Sequence, residues 1–177
     1  MLSSKAPPVL LDREKSIQLA VGTISEAVSE GASLLVFPEA YLPGYPTWIW
    51  RLKPGGDMAL SNEIHDRLRN NAIDLGGSDL MPVQEAAAKH GATVVIGLHE
   101  LDSRFSGTTL FNTVVVIGSD GSILNRHRKL MPTNPERLSY SHIFRCAVER
   151  VQKGESFQRC RLPLRLSLST SRGHLSD

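Results

Sequence analysis

Three residues of this chain combine a reactive side chain with a setting that could put it to work. Glu39 stands directly after the short apolar run Leu34-Leu35-Val36-Phe37 and Pro38, in a loop bounded by Pro38 and Pro43. Loops at strand ends are where α/β enzymes keep their reacting groups. A partly buried carboxylate there has a raised pKa and serves as a general base near neutral pH. The competing reading is a solvated loop glutamate, the commoner fate of the residue type. Lys129 closes the segment "SILNRHRKL". On an extended strand Ile123, Asn125, His127 and Lys129 share one face, and Leu124, Arg126, Arg128 and Leu130 share the other. The Ile123 face continues the apolar surface of a hairpin whose first strand is nearly all valine, which places Lys129 at a half-buried end. A lysine so placed needs a carboxylate partner; the alternative is a basic cluster on a solvated edge. Glu136 follows in a second proline-bounded loop, "MPTNPER". It is either a further member of the same site or a loop ion pair with Arg137.

The elements that must carry these residues can be read from pattern. Asp12 is placed to cap a helix on which Ile17, Val21, Ile24 and Val28 recur at helical spacing, with Gly31 as the stop. "SLLVF" is a short buried strand, and a loop rich in Pro, Gly and Trp follows it. Ser61 is placed to cap a second helix bearing Ile64 and Leu68, and "MPVQEAAAKHG" is a third helix closed by Gly91. "TVVIGL" is a strand, and "FNTVVVIGSDGSILNRHRKL" a hairpin turning at "GSDG". Helices alternate with strands, an α/β arrangement. The apolar runs are continuous rather than alternating, so the strands are expected to be covered on both faces.

A chain of 177 residues is long enough for one domain with a sizeable core. Its formal charge of +2 points away from nucleic acid or a membrane surface as the main partner. No apolar run approaches the roughly 20 residues that cross a bilayer. The N-terminus lacks the apolar core of a signal peptide, so a cytoplasmic location is expected. "MLSSKAPPVLLD" is too polar and proline-rich for a good first strand. Cys146 and Cys160 fit no zinc spacing, and in a reducing compartment no disulfide is expected between them.

Taken together, the segments resemble the nitrilase branch of the carbon–nitrogen hydrolases. "GASLLVFPEAYLPGYP" is similar to the glutamate signature of that branch, matching at Gly31, Leu34, Leu35, Phe37, Glu39, Leu42 and Gly44-Tyr45-Pro46. "RHRKLMPTNPER" resembles its lysine segment, with Lys129 in the catalytic place and Glu136 in that of a supporting glutamate. "YPTWIWRLKPGGD" and "VVIGLHELD" are also nitrilase-like. The resemblance runs from about Pro8 to Arg137. It implies a four-layer αββα sandwich, a homo-oligomer, a small organic nitrile as substrate, and no metal or organic cofactor. It also implies a Glu-Lys-Cys mechanism in which Glu39 takes the thiol proton and Lys129 stabilises charge developing on the former nitrile nitrogen. The "GYPTWIW" loop favours a nitrile over an amide, because Tyr45, Trp48 and Trp50 could wall a small apolar pocket. A related amidase or a cyanide-hydrating enzyme would use the same three groups.

The sequence departs from that pattern beyond Arg137. The nucleophilic cysteine should end an apolar strand and be followed by Trp-Glu, and no Cys-Trp-Glu occurs. Cys160 has nearly the right separation from Lys129 but sits in "SFQRCRLPL". Residues 138–177 are rich in Ser and Arg, with at most a weak helix from Phe144 to Val151, and are expected to be a poorly ordered tail. Residues 1–137 are then the N-terminal part of a hydrolase domain, incomplete at its C-terminus through truncation or a frame shift. An inactive fragment lacking its nucleophile is the second expectation. Domains are stable by only roughly 5–15 kcal/mol, so half a sandwich should be poorly soluble or depend on a partner chain.

Overall fold

The computed structural model describes residues 7–53, 56–102, 109–133 and 135–140, the last group with the backbone alone at residue 138. Helix α1 (Arg13–Ser29) begins where the carboxylate of Asp12 accepts the backbone N–H of Lys15 at 3.0 Å, satisfying one of the free amides of the first turn. Ile17, Ala20, Ile24 and Ala27 form its buried face, and Gly31, with φ +90°, lets the chain turn away. Strand β1 (Leu34–Val36) follows, then a 3₁₀ turn at Thr47–Trp50. Helix α2 (Met58–Asn70) and helix α3 (Met81–His90) come next, α3 ending at Gly91 in the left-handed conformation, φ +64°. Strands β2 (Thr93–Leu101), β3 (Leu110–Ile117) and β4 (Ile123–Arg128) complete the sheet, and a second 3₁₀ turn spans Pro135–Leu138.

The sheet runs β1-β2-β3-β4, with β1 parallel to β2 and the later pairs antiparallel. β3 and β4 are joined through the expected Gly118–Gly121 turn, where Gly121 has φ +81°. Leu35, Val94, Ile96, Leu98, Val115 and Ile117 form one buried cluster with the apolar faces of α1 and α3. Each large aliphatic side chain removed from water there contributes about 1.5–3 kcal/mol before entropy is counted. A smaller cluster gathers Leu68 of α2, Ala72, Leu110 and Tyr140, with Trp48 packed against it.

Two expectations change. Helix α2 starts at Met58, not after Ser61, which lies inside the helix and donates its N–H to Asp57. The Asp57 carboxylate accepts the N–H of Lys53 rather than capping the helix. The strands are also not covered equally on both faces. Leu35 is buried, but its neighbours Leu34 and Val36 are 40% and 56% exposed. Val114 and Val116 are half-buried where Val115 and Ile117 are fully buried. The reason is that α1 and α3 pack on a single face. The described residues thus supply a helix layer and one sheet of an αββα sandwich, and the open face is the one that carries Glu39 and Lys129. Residues 7–12 form no strand, as expected. The tail from residue 141, including the weak helix expected from Phe144 to Val151, lies outside the described residues.

Candidate active site

Glu39 owes its position to an interruption in strand pairing. Past β1, Phe37 still donates its N–H to Val95 at 2.8 Å, and pairing with β2 resumes only where Leu42 donates to Gly97 and His99 donates to Leu42. The chain between, residues 38–41, is pushed out over the sheet at Gly97. A Cβ on Gly97 would lie 2.5 Å from the Pro38 carbonyl oxygen and 2.6 Å from the Ala40 nitrogen, so only glycine fits beneath the loop. Ala40 is fully buried with φ +53°, a backbone conformation unusual for a residue with a Cβ. Phe37 and Tyr41, both buried, pack ring against ring at 4.8 Å on either side of the excursion. Glu39 is thereby held on rigid supports, with its side chain 47% exposed, a partly buried carboxylate.

Lys129 continues β4 by one step, donating its N–H to the Asn112 carbonyl at 2.7 Å. Asn125 opposite Val116 and His127 opposite Val114 lie on its face of the sheet. A bulge between Val116 and Ile117 takes Ile123 out of that series. The Lys129 ammonium donates to Glu39 Oε1 at 2.7 Å and to both oxygens of Glu136 at 3.0 Å. Asn112 Nδ2 also donates to Glu39 Oε1 at 2.7 Å. Glu136, only 1% exposed, does not pair with Arg137 as a loop ion pair would. Instead it accepts the Tyr45 hydroxyl at 2.8 Å, the Thr133 N–H at 2.7 Å and the Thr133 hydroxyl at 2.9 Å.

These contacts set the charge states. Burial would raise the Glu136 carboxyl, but the Thr133 N–H, the Tyr45 hydroxyl, the Lys129 ammonium and the Thr133 hydroxyl outweigh it and bring the pKa down to about 2. Burial works against the Lys129 ammonium, yet its bonds to Glu39 and Glu136 and their charges hold its pKa above the ordinary lysine value. Lys129 is thus a fixed cation rather than a proton donor, and Glu136 a fixed anion that anchors it. Both hydrogen bonds that Glu39 makes among the described residues end on Oε1. With the side chain 47% exposed, Oε2 is left outside these bonds and is free to take a proton from an incoming group.

The sheet therefore brings Glu39, Lys129 and Glu136 into one hydrogen-bonded cluster. Asn112 and Thr133 join it unannounced, as does Gly97 beneath the loop, and Tyr45, expected as a pocket wall, joins it through its hydroxyl. A lone glycine inside an otherwise apolar strand was the available signal for Gly97. The aromatic loop divides: Trp48 packs into the small core cluster, Trp50 is 57% exposed, and Tyr45 spends its hydroxyl on Glu136. Cys146 and Cys160 lie outside the described residues. Among the described residues no group of three or more His, Cys, Asp or Glu could hold a metal ion, and no helix is long and apolar enough to cross a membrane.

Residues 3–164 match the carbon–nitrogen hydrolase family. An aliphatic nitrilase of Rhodococcus rhodochrous is 36% identical over 136 residues, which are 77% of this chain and 35% of that enzyme. A cyanide hydratase of Stereum hirsutum is 31% identical over 133 residues, 75% of this chain and 34% of the relative. Among solved structures, the C. elegans NitFhit protein superposes with a TM-score of 0.51 at 23% identity, covering 71% of this chain and 26% of that one, a likeness of fold. The chain belongs to the carbon–nitrogen hydrolase family, in its nitrilase branch. It spans roughly a third to two fifths of the length of the curated relatives it matches.

Proposed function

We propose that the chain carries the base and cation of a nitrilase-type hydrolase that converts a small organic nitrile to a carboxylic acid and ammonia. The observation behind this reading is the Lys129 ammonium bridging Glu39 and Glu136 at the open end of the sheet. Glu39 takes the proton of a cysteine thiol and passes it to the nitrile nitrogen as the sulfur adds to the nitrile carbon, giving a neutral thioimidate and a regenerated carboxylate. Lys129, held in place by its two carboxylate partners, stabilises negative charge developing on the nitrile nitrogen. Water, deprotonated through Glu39, adds to the thioimidate carbon; that proton and the one from the new hydroxyl pass to the nitrogen, and ammonia leaves as the thioester forms. A second water releases the acid and returns the thiol. Glu136 keeps Lys129 charged and in place, and Asn112 orients the Glu39 carboxyl.

A second reading is favoured by the surroundings of Cys160, where Arg161 stands in place of the Trp-Glu that the resemblance implies. In that reading the chain holds base and cation without a working nucleophile. Ammonia release from a panel of aliphatic and aryl nitriles and their amides separates the two. The enzyme reading expects turnover of nitriles that Glu39→Gln abolishes and Cys160→Ala or Cys146→Ala removes. Absence of turnover by folded protein supports the second reading. Turnover untouched by Glu39→Gln overturns both.

A further inference from the structure

We infer that His99 is a positioning residue that clamps the two segments flanking the Glu39–Lys129–Glu136 cluster, an inference that rests on the catalytic reading of that cluster. His99 lies on β2, fully buried, directly opposite Asn112, the residue that bonds Glu39. Its ring touches two different pieces of chain. Nε2 is 2.8 Å from the Gly44 carbonyl oxygen, and Nδ1 is 2.9 Å from the Tyr140 hydroxyl, with the two rings stacked at 5.4 Å.

A carbonyl can only accept, so Nε2 carries the proton and Nδ1 accepts the Tyr140 O–H. This assignment leaves no polar atom of the trio unpaired. Each contact is one step from Glu136. Gly44 precedes Tyr45, whose hydroxyl bonds the Glu136 carboxylate, and Tyr140 donates its own N–H to the Glu136 carbonyl at 2.9 Å. Gly44 also follows the loop that presents Glu39, donating its N–H to the Ala40 carbonyl. The ring thus ties the Glu39 loop to the Glu136 turn through a single tautomer. The acid groups nearest in effect are Tyr140, in contact, and Glu39, through space. Burial dominates over the Gly44 hydrogen bond and the charge of Glu39, which favour the imidazolium, and keeps the imidazole neutral at physiological pH.

The test uses the full chain with ¹⁵N-labelled imidazoles, His99 being identified by the signal lost in His99→Gln. The expected spectrum is a neutral ring protonated at Nε2. A ring protonated at Nδ1, or a charged one at pH 7, overturns the assignment whether or not the protein turns over a nitrile. The clamp itself is tested by the Tyr45 phenol, whose pKa is held up by burial and by Glu136. His99→Phe keeps the stack but loses both hydrogen bonds, and should lower the Tyr45 pKa towards the ordinary tyrosine value. His99→Gln, with one donor and one acceptor, should restore it. Val83→Ala, a core change in α3, should lower the melting temperature without moving it. Where turnover is measurable, kcat should fall roughly 10- to 100-fold in His99→Phe with KM little changed. A His99→Phe protein that melts early like Val83→Ala, with the Tyr45 pKa unmoved, reduces His99 to packing and overturns the inference.

Discussion

The strand segment Arg126-His127-Arg128-Lys129 feeds two charged clusters, one on each face of the sheet, and they are built to opposite ends. On the helix-covered face Arg126 and Arg128 converge on Glu100 and Asp102, which are 1% and 4% exposed. Glu100 accepts from Thr113 at 2.8 Å and from both guanidinium groups through each of its oxygens. Arg128 also lies over the Phe111 ring at 3.7 Å. On the open face Lys129 serves two carboxylates, and Glu39 remains 47% exposed with one oxygen outside the hydrogen bonds described. A carboxylate saturated and sealed has no capacity for a further partner, so it can only stabilise. The cluster with a carboxylate oxygen to spare, on the open side, is the one equipped for proton transfer. Period-two alternation in one strand separates the two roles.

The sharpest contrast should come from neutralising one carboxylate in each cluster. Glu100→Gln leaves Arg128 buried against an incomplete partner set and should cost roughly 3–5 kcal/mol in urea unfolding. Glu39→Gln, at a half-exposed pair, should change stability by less than about 1 kcal/mol. Equal costs would erase the distinction drawn between the faces.

Acid should weaken the open-face architecture first. Burial pushes His99 down to about 4, against about 6.5 in an unfolded chain. Between those values the unfolded chain binds a proton that the folded chain does not. The stability owed to the neutral ring is therefore whole above pH 6.5 and lost as pH falls towards 4, by up to about 3 kcal/mol. Glu136, held down to about 2, adds a further loss below about pH 4.5. Unfolding measured from pH 7 to 4.5 should show the first loss, and His99→Gln should flatten it. A smaller effect is expected from Gly97→Ala, whose Cβ meets the Pro38 and Ala40 backbone. It should cost about 1–3 kcal/mol and displace Glu39, seen as weakened coupling between Glu39 and Lys129 in a double-mutant cycle.

Much of the frame was legible because it rests on local rules. The Asp12 cap, the Gly91 stop, the Gly118–Gly121 turn and the alternation along β4 are all decided within a few residues. The residues alone said only that Lys129 needs a carboxylate; that the partner is Glu39, ninety positions away, followed from the resemblance to the nitrilase branch. What escaped depends on contacts distant in sequence. Nothing near Ser61 shows that the chain enters α2 earlier at Asp57. The continuous runs in β1 and β3 look buried on both faces, yet of their residues Leu35, Val115 and Ile117 are the ones that join the cluster with α1 and α3. The cluster of Glu100, Asp102, Arg126 and Arg128 had a readable signal, two acids at the end of an apolar strand and two arginines on one face of another. Only the pairing of β2 and β4 through β3 brings them together.

The central claim is that Lys129 is an ammonium clamped between Glu39 and Glu136. The direct measurement is a titration of the Lys129 side chain by NMR on lysine-labelled protein, with Lys129→Arg identifying the signal. The clamp predicts a pKa above that of the other lysines and downward shifts in both Glu39→Gln and Glu136→Gln. A Lys129 that titrates like a free surface lysine and ignores both substitutions would contradict the account.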